Sequence, residues 1–197
     1  MAAEPALRYA EIVAKDRPVA YWRLNETQGK TVANQIAQAE SAAPLTGSLA
    51  GRVRLNEQGP GGERYPDFED GNAAAGFDGQ GARIEIDDPG AASPLDFDQA
   101  DSITLEAWVA LNRIAEGQQV YVVGKGRTGN KDYPAENQNY ALRLRGTPEG
   151  GTSMAAVSFL FRDADHRRKG DPKFESDWHR WTSHAGFVEG SGWHHIA

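Results

Sequence analysis

Residues 102–112, SITLEAWVALN, alternate strictly. Ile103, Leu105, Ala107, Val109 and Leu111 fall on one side, and Thr104, Glu106, Trp108 and Ala110 on the other. A period of two sustained over this length marks a β-strand with one buried face. No other stretch of the chain makes a better core strand. Its second face is unusual, because the Glu106 carboxylate and the Trp108 indole stand two residues apart. That pairing suits either a ligand surface or a second packed layer.

The same alternation recurs on both sides of this strand. Residues 82–87 set Ala82, Ile84 and Ile86 against Arg83, Glu85 and Asp87, after a hairpin-type turn signal at Asp78-Gly79-Gln80-Gly81. Residues 119–123 form a strand closed by Gly124-Lys125-Gly126. Residues 139–145 put Tyr140, Leu142 and Leu144 on one face and Arg143 and Arg145 on the other. Residues 155–162 turn Val157, Phe159 and Phe161 inward, 181–188 read as a weak strand, and 192–197 (GWHHIA) begin another. Aromatic bulk at Tyr21 and Trp22 makes 19–25 a strand. Residues 30–72 are poorly patterned and read as meandering loop with one short strand at 52–55. The convincing helix is 4–15, with Pro5 in its first turn and Leu7, Ala10 and Val13 at helical spacing. One short helix and about eight strands separated by turn signals describe an all-β, antiparallel two-sheet sandwich or barrel.

Charge and residue usage narrow the function classes. With 28 acidic against 21 basic residues in 197, the formal net charge is -7, and no basic stripe is present to neutralise phosphates. That argues against a nucleic-acid partner. A cation, a neutral ligand such as a sugar, or a protein partner fits better. No apolar run of membrane-spanning length occurs. The absence of cysteine excludes disulfides and thiolate metal sites. The opening MAAEPALRY lacks the apolar core of a signal peptide.

Five segments, in order, carry a resemblance: DRPVAYWRLNE at 16–26, AGFDG at 75–79, ITLEAWV at 103–109, GKG at 124–126 and GWHHIA at 192–197. On these the chain resembles the laminin-G-like, concanavalin-A-like jelly-roll domains, in particular the bacterial type of exported multidomain proteins. The resemblance implies one β-sandwich over 16–197, preceded by the helix and lead-in of residues 1–15. It implies a noncatalytic module that recognises carbohydrate or protein, an extracytoplasmic location, and other domains of a longer parent chain as neighbours. In relatives the WHHIA-like segment is followed by further strands, so a chain stopping at Ala197 is expected to lack part of its sandwich and to be marginally stable alone.

Glycoside hydrolases share the fold and place carboxylates on alternate residues of one strand, as retaining chemistry requires. That spacing is missing here: Glu106 stands alone among Thr104 and Trp108, and Glu85 and Asp87 run into a turn. No catalytic residue is therefore assigned. His194 and His195 are adjacent on a strand and point to opposite faces, so they do not share a metal. Calcium is the ion the resemblance suggests, with Asp78 in the FDG turn and the spaced Asp96, Asp98 and Asp101 as oxygen ligands. Turn formation is the plainer role for each of these. Trp22, Trp108 and Trp193 lie in strand motifs and read as packing residues. Trp178, Trp181 and Arg180, in the loop-like DWHRW, are the surface candidates for a ligand, with Glu106 as a fourth. The charged stretch 163–177 reads as a solvated loop or a docking surface. A structural domain packed on a catalytic or redox neighbour, or a glycoside hydrolase, are the alternative functions.

Overall fold

The computed structural model describes residues 8–37, 44–90, 93–97, 101–126, 139–149, 152–162 and 178–197. Among them it is all-β, with antiparallel sheets and one short helix. No helix among the described residues is long and apolar enough to cross a membrane. Contacts divide the chain into two compact units, Met1–Ala100 and Asp101–Ala197.

The first unit opens with helix α1, Tyr9–Lys15; the expected residues 4–7 lie outside the described ones. Its start is capped by Glu11, whose carboxylate accepts the Arg8 backbone N–H at 2.9 Å. The helix buries no residue. It is tied to a turn instead: the Tyr9 amide donates to the Asp67 carbonyl, and the Tyr9 ring stacks on Phe68 at 4.5 Å.

Strands β1 (Thr31–Val32), β2 (Gly47–Ala50), β3 (Arg54–Gln58), β4 (Ala73–Gly76) and β5 (Arg83–Ile86) follow. They form a three-stranded sheet, β1-β2-β5, and a pair, β3-β4. The unpatterned 30–72 region thus holds three strands where one was expected. Strand β2 is legible only through its neighbours. A Cβ on Gly47 would lie 2.4 Å from Ile84 Cγ2 and 2.7 Å from Val32 Cγ2, so only glycine lets β1 and β5 close over it.

Two expectations fail here. Residues 19–25 are not a strand, apart from one bridge between Trp22 and Asn34. The Tyr21 N–H that would enter a ladder is taken at 2.9 Å by the Asn34 side-chain oxygen. Leu24 then leaves the extended region at φ 58°, a conformation costly for a residue with a Cβ. The Asp78–Gly81 turn forms, but it joins no hairpin: β4 pairs with β3 and β5 with β2, so the turn carries the chain from one sheet to the other.

The second unit holds β6 (Ala107–Ala110), β7 (Gln119–Lys125), β8 (Tyr140–Glu149), β9 (Thr152–Arg162), β10 (Trp178–Val188) and β11 (Trp193–Ile196). Strands β10-β9-β8-β7 make a four-stranded antiparallel sheet, and β11-β6 a two-stranded ladder. Gly124 and Lys125, expected in a closing turn, extend β7 and pair with Ala141 and Tyr140. The SITLEAWVALN stretch keeps its alternation, with Ile103, Leu105, Ala107, Val109 and Leu111 all half-buried. Only Ala107–Ala110 pair, because β11 supplies four residues, from Ile196 opposite Ala107 to Trp193 opposite Ala110.

Ile114, Leu142, Leu144, Ala155 and Ile196 form the buried cluster of this unit, and Leu105, Ala107, Val109, Val157 and Phe187 pack against it. Sheet and ladder therefore meet as two layers over one core. Burying each such Leu or Ile stabilises by roughly 1.5–3 kcal/mol.

Candidate functional site

The register of the four-stranded sheet sorts its residues into two faces. Leu144 stands opposite Val157, Leu142 opposite Phe159 and Tyr140 opposite Phe161, and this face covers the core. On the reverse face one row crosses all four strands: Tyr121 opposite Arg143, Arg143 opposite Ser158, Ser158 opposite Thr182. A second row sets Gln119 opposite Arg145, then Ala156 and Gly186. The small residues at the end of this second row leave a hollow beside the long arginines.

The hollow is a polar groove of about 280 Å³ lined by Gln119, Arg143, Arg145, Ser158, Arg180 and Thr182. Arg143 is its fixed point. The residue is 6% exposed. One guanidinium nitrogen donates to the Gln119 side-chain oxygen and another, Nη2, donates to Ser158 Oγ at 3.1 Å. The Tyr121 ring lies 5.6 Å from Cζ, a cation–π distance. The Arg143 Nε is buried and has no hydrogen-bond partner. Ser158, 2% exposed, has its hydroxyl committed to this arginine. Among the described residues, three guanidiniums and no carboxylate line the groove, although acids outnumber bases in the chain.

A second surface lies on the core-covering side of the same sheet. Phe159, Phe161, His179 and Trp181 form a row there, with Phe161 4.7 Å from His179 and 5.6 Å from Trp181, rings inclined by 22° in each case. Trp181 is 56% exposed.

The expected ligand residues are thus separated. The DWHRW stretch is not a loop, since β10 begins at Trp178. Arg180 and Trp181 consequently point to opposite faces: Arg180 lines the groove, and Trp181 ends the aromatic row. The Trp178 side chain lies outside the described residues. Glu106 sits beside the β6-β11 ladder, its Oε2 3.2 Å from His195 Nε2, with the His195 ring 5.4 Å from Trp108. His194 takes the other face, stacked on Phe187 at 4.2 Å. Trp22 packs, donating its indole N–H to the Leu45 carbonyl at 2.7 Å.

Among the calcium candidates, Asp78 uses Oδ1 to accept the Gln80 and Ala82 amides at 2.8 and 3.3 Å. It holds its own turn. Asp96 and Asp101 are exposed, Asp98 lies outside the described residues, and so does the charged stretch 163–177. Among the described residues no three His, Asp or Glu side chains cluster as metal ligands.

Gln119, Arg143, Arg145, Ser158 and Thr182 are groove residues that sequence patterning did not single out. The available signal was the Arg143/Arg145 alternation opposite Leu142 and Leu144, which reads equally well as a solvated face. No protein-family model, curated protein or solved structure matches the chain.

Proposed function

We propose that the chain is a noncatalytic carbohydrate-binding module of a larger exported protein, built on the laminin-G-like jelly-roll plan. The groove across β7–β10 is the observation that carries this reading. Its amide, hydroxyl and guanidinium groups are the donors and acceptors that sugar hydroxyls require. Its central arginine is held in place by Gln119 and Ser158, so its geometry is set before a ligand arrives. On its own strand Glu106 has Thr104 and Trp108 at the alternate positions where a glycosidase sets a second carboxylate, and across the ladder it meets His195, which favours recognition over hydrolysis. The net charge of -7 suits a neutral glycan better than a nucleic acid, and the arginines of the groove admit an acidic sugar there.

The test is a glycan array probed with the full chain, repeated with Thr182→Ala and Arg180→Gln. Binding to a glycan class that drops at least tenfold in either variant is the expected result. A wild-type chain that binds no glycan overturns the reading. A second reading, docking of a neighbouring protein domain, is favoured by the aromatic row ending in the exposed Trp181. Its mark would be a partner lost on Trp181→Ala and retained in Thr182→Ala.

A further inference from the structure

We infer that the β7–β10 groove is an oxyanion subsite, and, resting on the carbohydrate reading above, that the oxyanion is the carboxylate or sulfate of an acidic sugar. Arginine keeps its charge at every accessible pH and presents five N–H donors in a planar fork. At Arg143 the protein supplies two acceptors, from Gln119 and Ser158, and both are neutral. A guanidinium taken out of water without a counter-charge is strongly disfavoured. The remaining partner, the Tyr121 ring, offsets only part of that loss.

The surroundings add charge of the same sign. Arg145, two residues along the same face of β8, is exposed and makes no ion pair with any described residue. Arg180 enters from β10, and no Asp or Glu is among the described lining residues. Arg143 and Arg145 are like charges on one face of β8, with no ion pair to a described acid, so they repel each other and an anion seated between them relieves that repulsion. Carboxylate and sulfate each offer oxygens that guanidinium forks bind bidentately. With Arg143 pinned by Gln119 and Ser158, Arg145 is the free fork that closes on the ligand.

The test is calorimetric titration of the full chain with oligogalacturonate, a sulfated dextran oligosaccharide, a neutral dextran oligosaccharide and inorganic sulfate. Variants are Arg145→Gln and, as a charge-matched control in the first unit, Arg54→Gln. We expect one acidic oligosaccharide to bind, at least tenfold weaker binding in Arg145→Gln, and unchanged binding in Arg54→Gln. The oligogalacturonate and sulfated arms distinguish the two sources of the anion. Arg143→Lys, which keeps the charge and loses the fork, should also weaken binding while its melting transition reports whether it folds. Equal binding of the neutral and acidic sugars overturns the oxyanion subsite and leaves the carbohydrate reading standing. Sulfate binding lost in Arg145→Gln, with no sugar bound, supports the subsite and overturns the carbohydrate reading. Equal losses in Arg145→Gln and Arg54→Gln overturn the subsite as a general charge effect, as does binding of none of the four probes.

Discussion

The two units solve the same problem differently. In the second, β8 and β9 run side by side through ten paired positions, from Tyr140 opposite Phe161 to Glu149 opposite Thr152. Backbone meets backbone, and side chains are left to pack or to bind. In the first, the strands are two to five residues long, and side chains repeatedly stand in for missing ladder. Asn34 Oδ1 accepts the Tyr21 and Ile36 amides at 2.9 and 3.1 Å. Glu26 accepts the Ala33 amide, and Asp78 holds two amides of its own turn. The difference teaches that a polar side chain means different things in the two halves. In the first unit it is backbone by other means; on the outer face of the second, side chains such as Arg145 and Thr182 line a groove instead.

The comparison breaks most visibly at the cores. Leu142, 2% exposed within the buried cluster, should cost about 2–5 kcal/mol when cut to Ala. Urea denaturation reads this as a lower midpoint, and hydrogen exchange should show weakened protection along β8. An effect below about 1 kcal/mol would mean that the ladders carry the unit without its core.

Asn34→Ala sharpens the contrast next. It strands two half-buried amide donors, each worth about 1–3 kcal/mol when left without an acceptor. Thr182→Ala in the groove should change stability by less than about 0.5 kcal/mol, because the strand beneath it is held by backbone pairing. Equal losses at the two sites, measured by chemical denaturation, would erase the distinction between structural and available polar groups.

The smallest effect is a matter of pH. Burial raises the Tyr21 pKa above its ordinary 10.0; Arg23 opposes the shift, and Tyr9 and Glu69 add to it. The folded state therefore keeps its proton while the unfolded chain loses one, and stability falls as pH climbs through and beyond about 10. Below that value both states are protonated and the dependence on pH vanishes. Tyr21→Phe should flatten this alkaline fall and leave stability near about pH 8 little changed. Comparing denaturation midpoints of the two proteins at about pH 8 and about pH 10.5 is the check; parallel falls would place the titration elsewhere.

These differences also govern what could be read in advance. Strands β8 and β9 were legible because each runs ten residues or more with apolar residues at alternate positions, which residue order alone displays; β10 was read only in part, from 181, and β11 is just four residues long. Strands β1 and β2 were not legible, since Thr31–Val32 and Gly47–Ala50 are too short to show a period and owe their place to Val32 and Ile84 closing over Gly47. The 19–25 segment misled because Tyr21 and Trp22 have strand-like bulk, while a remote amide, Asn34, took the hydrogen bond. The groove was half legible. Alternation separated Arg143 and Arg145 from the core, but only register shows that Ser158 and Gln119 close over the first and leave the second outside. Arg180 and Trp181 were grouped as one surface because they are neighbours; pleating sends neighbours apart.

Strand β10 carries an irregularity whose consequence reaches into how such a chain can change length. Thr182 stands opposite Ser158 and Gly186 opposite Ala156, so four steps on one strand face two on the other. The surplus is even. Trp181 before it and Phe187 after it therefore remain on the same side of the sheet. Ser183, which accepts the Val157 amide and donates to the Ala185 carbonyl, closes the surplus locally. Here the chain can gain or lose residues in pairs and keep every side chain on its own face. A single insertion would exchange the two faces downstream, sending Phe187 outward and away from His194.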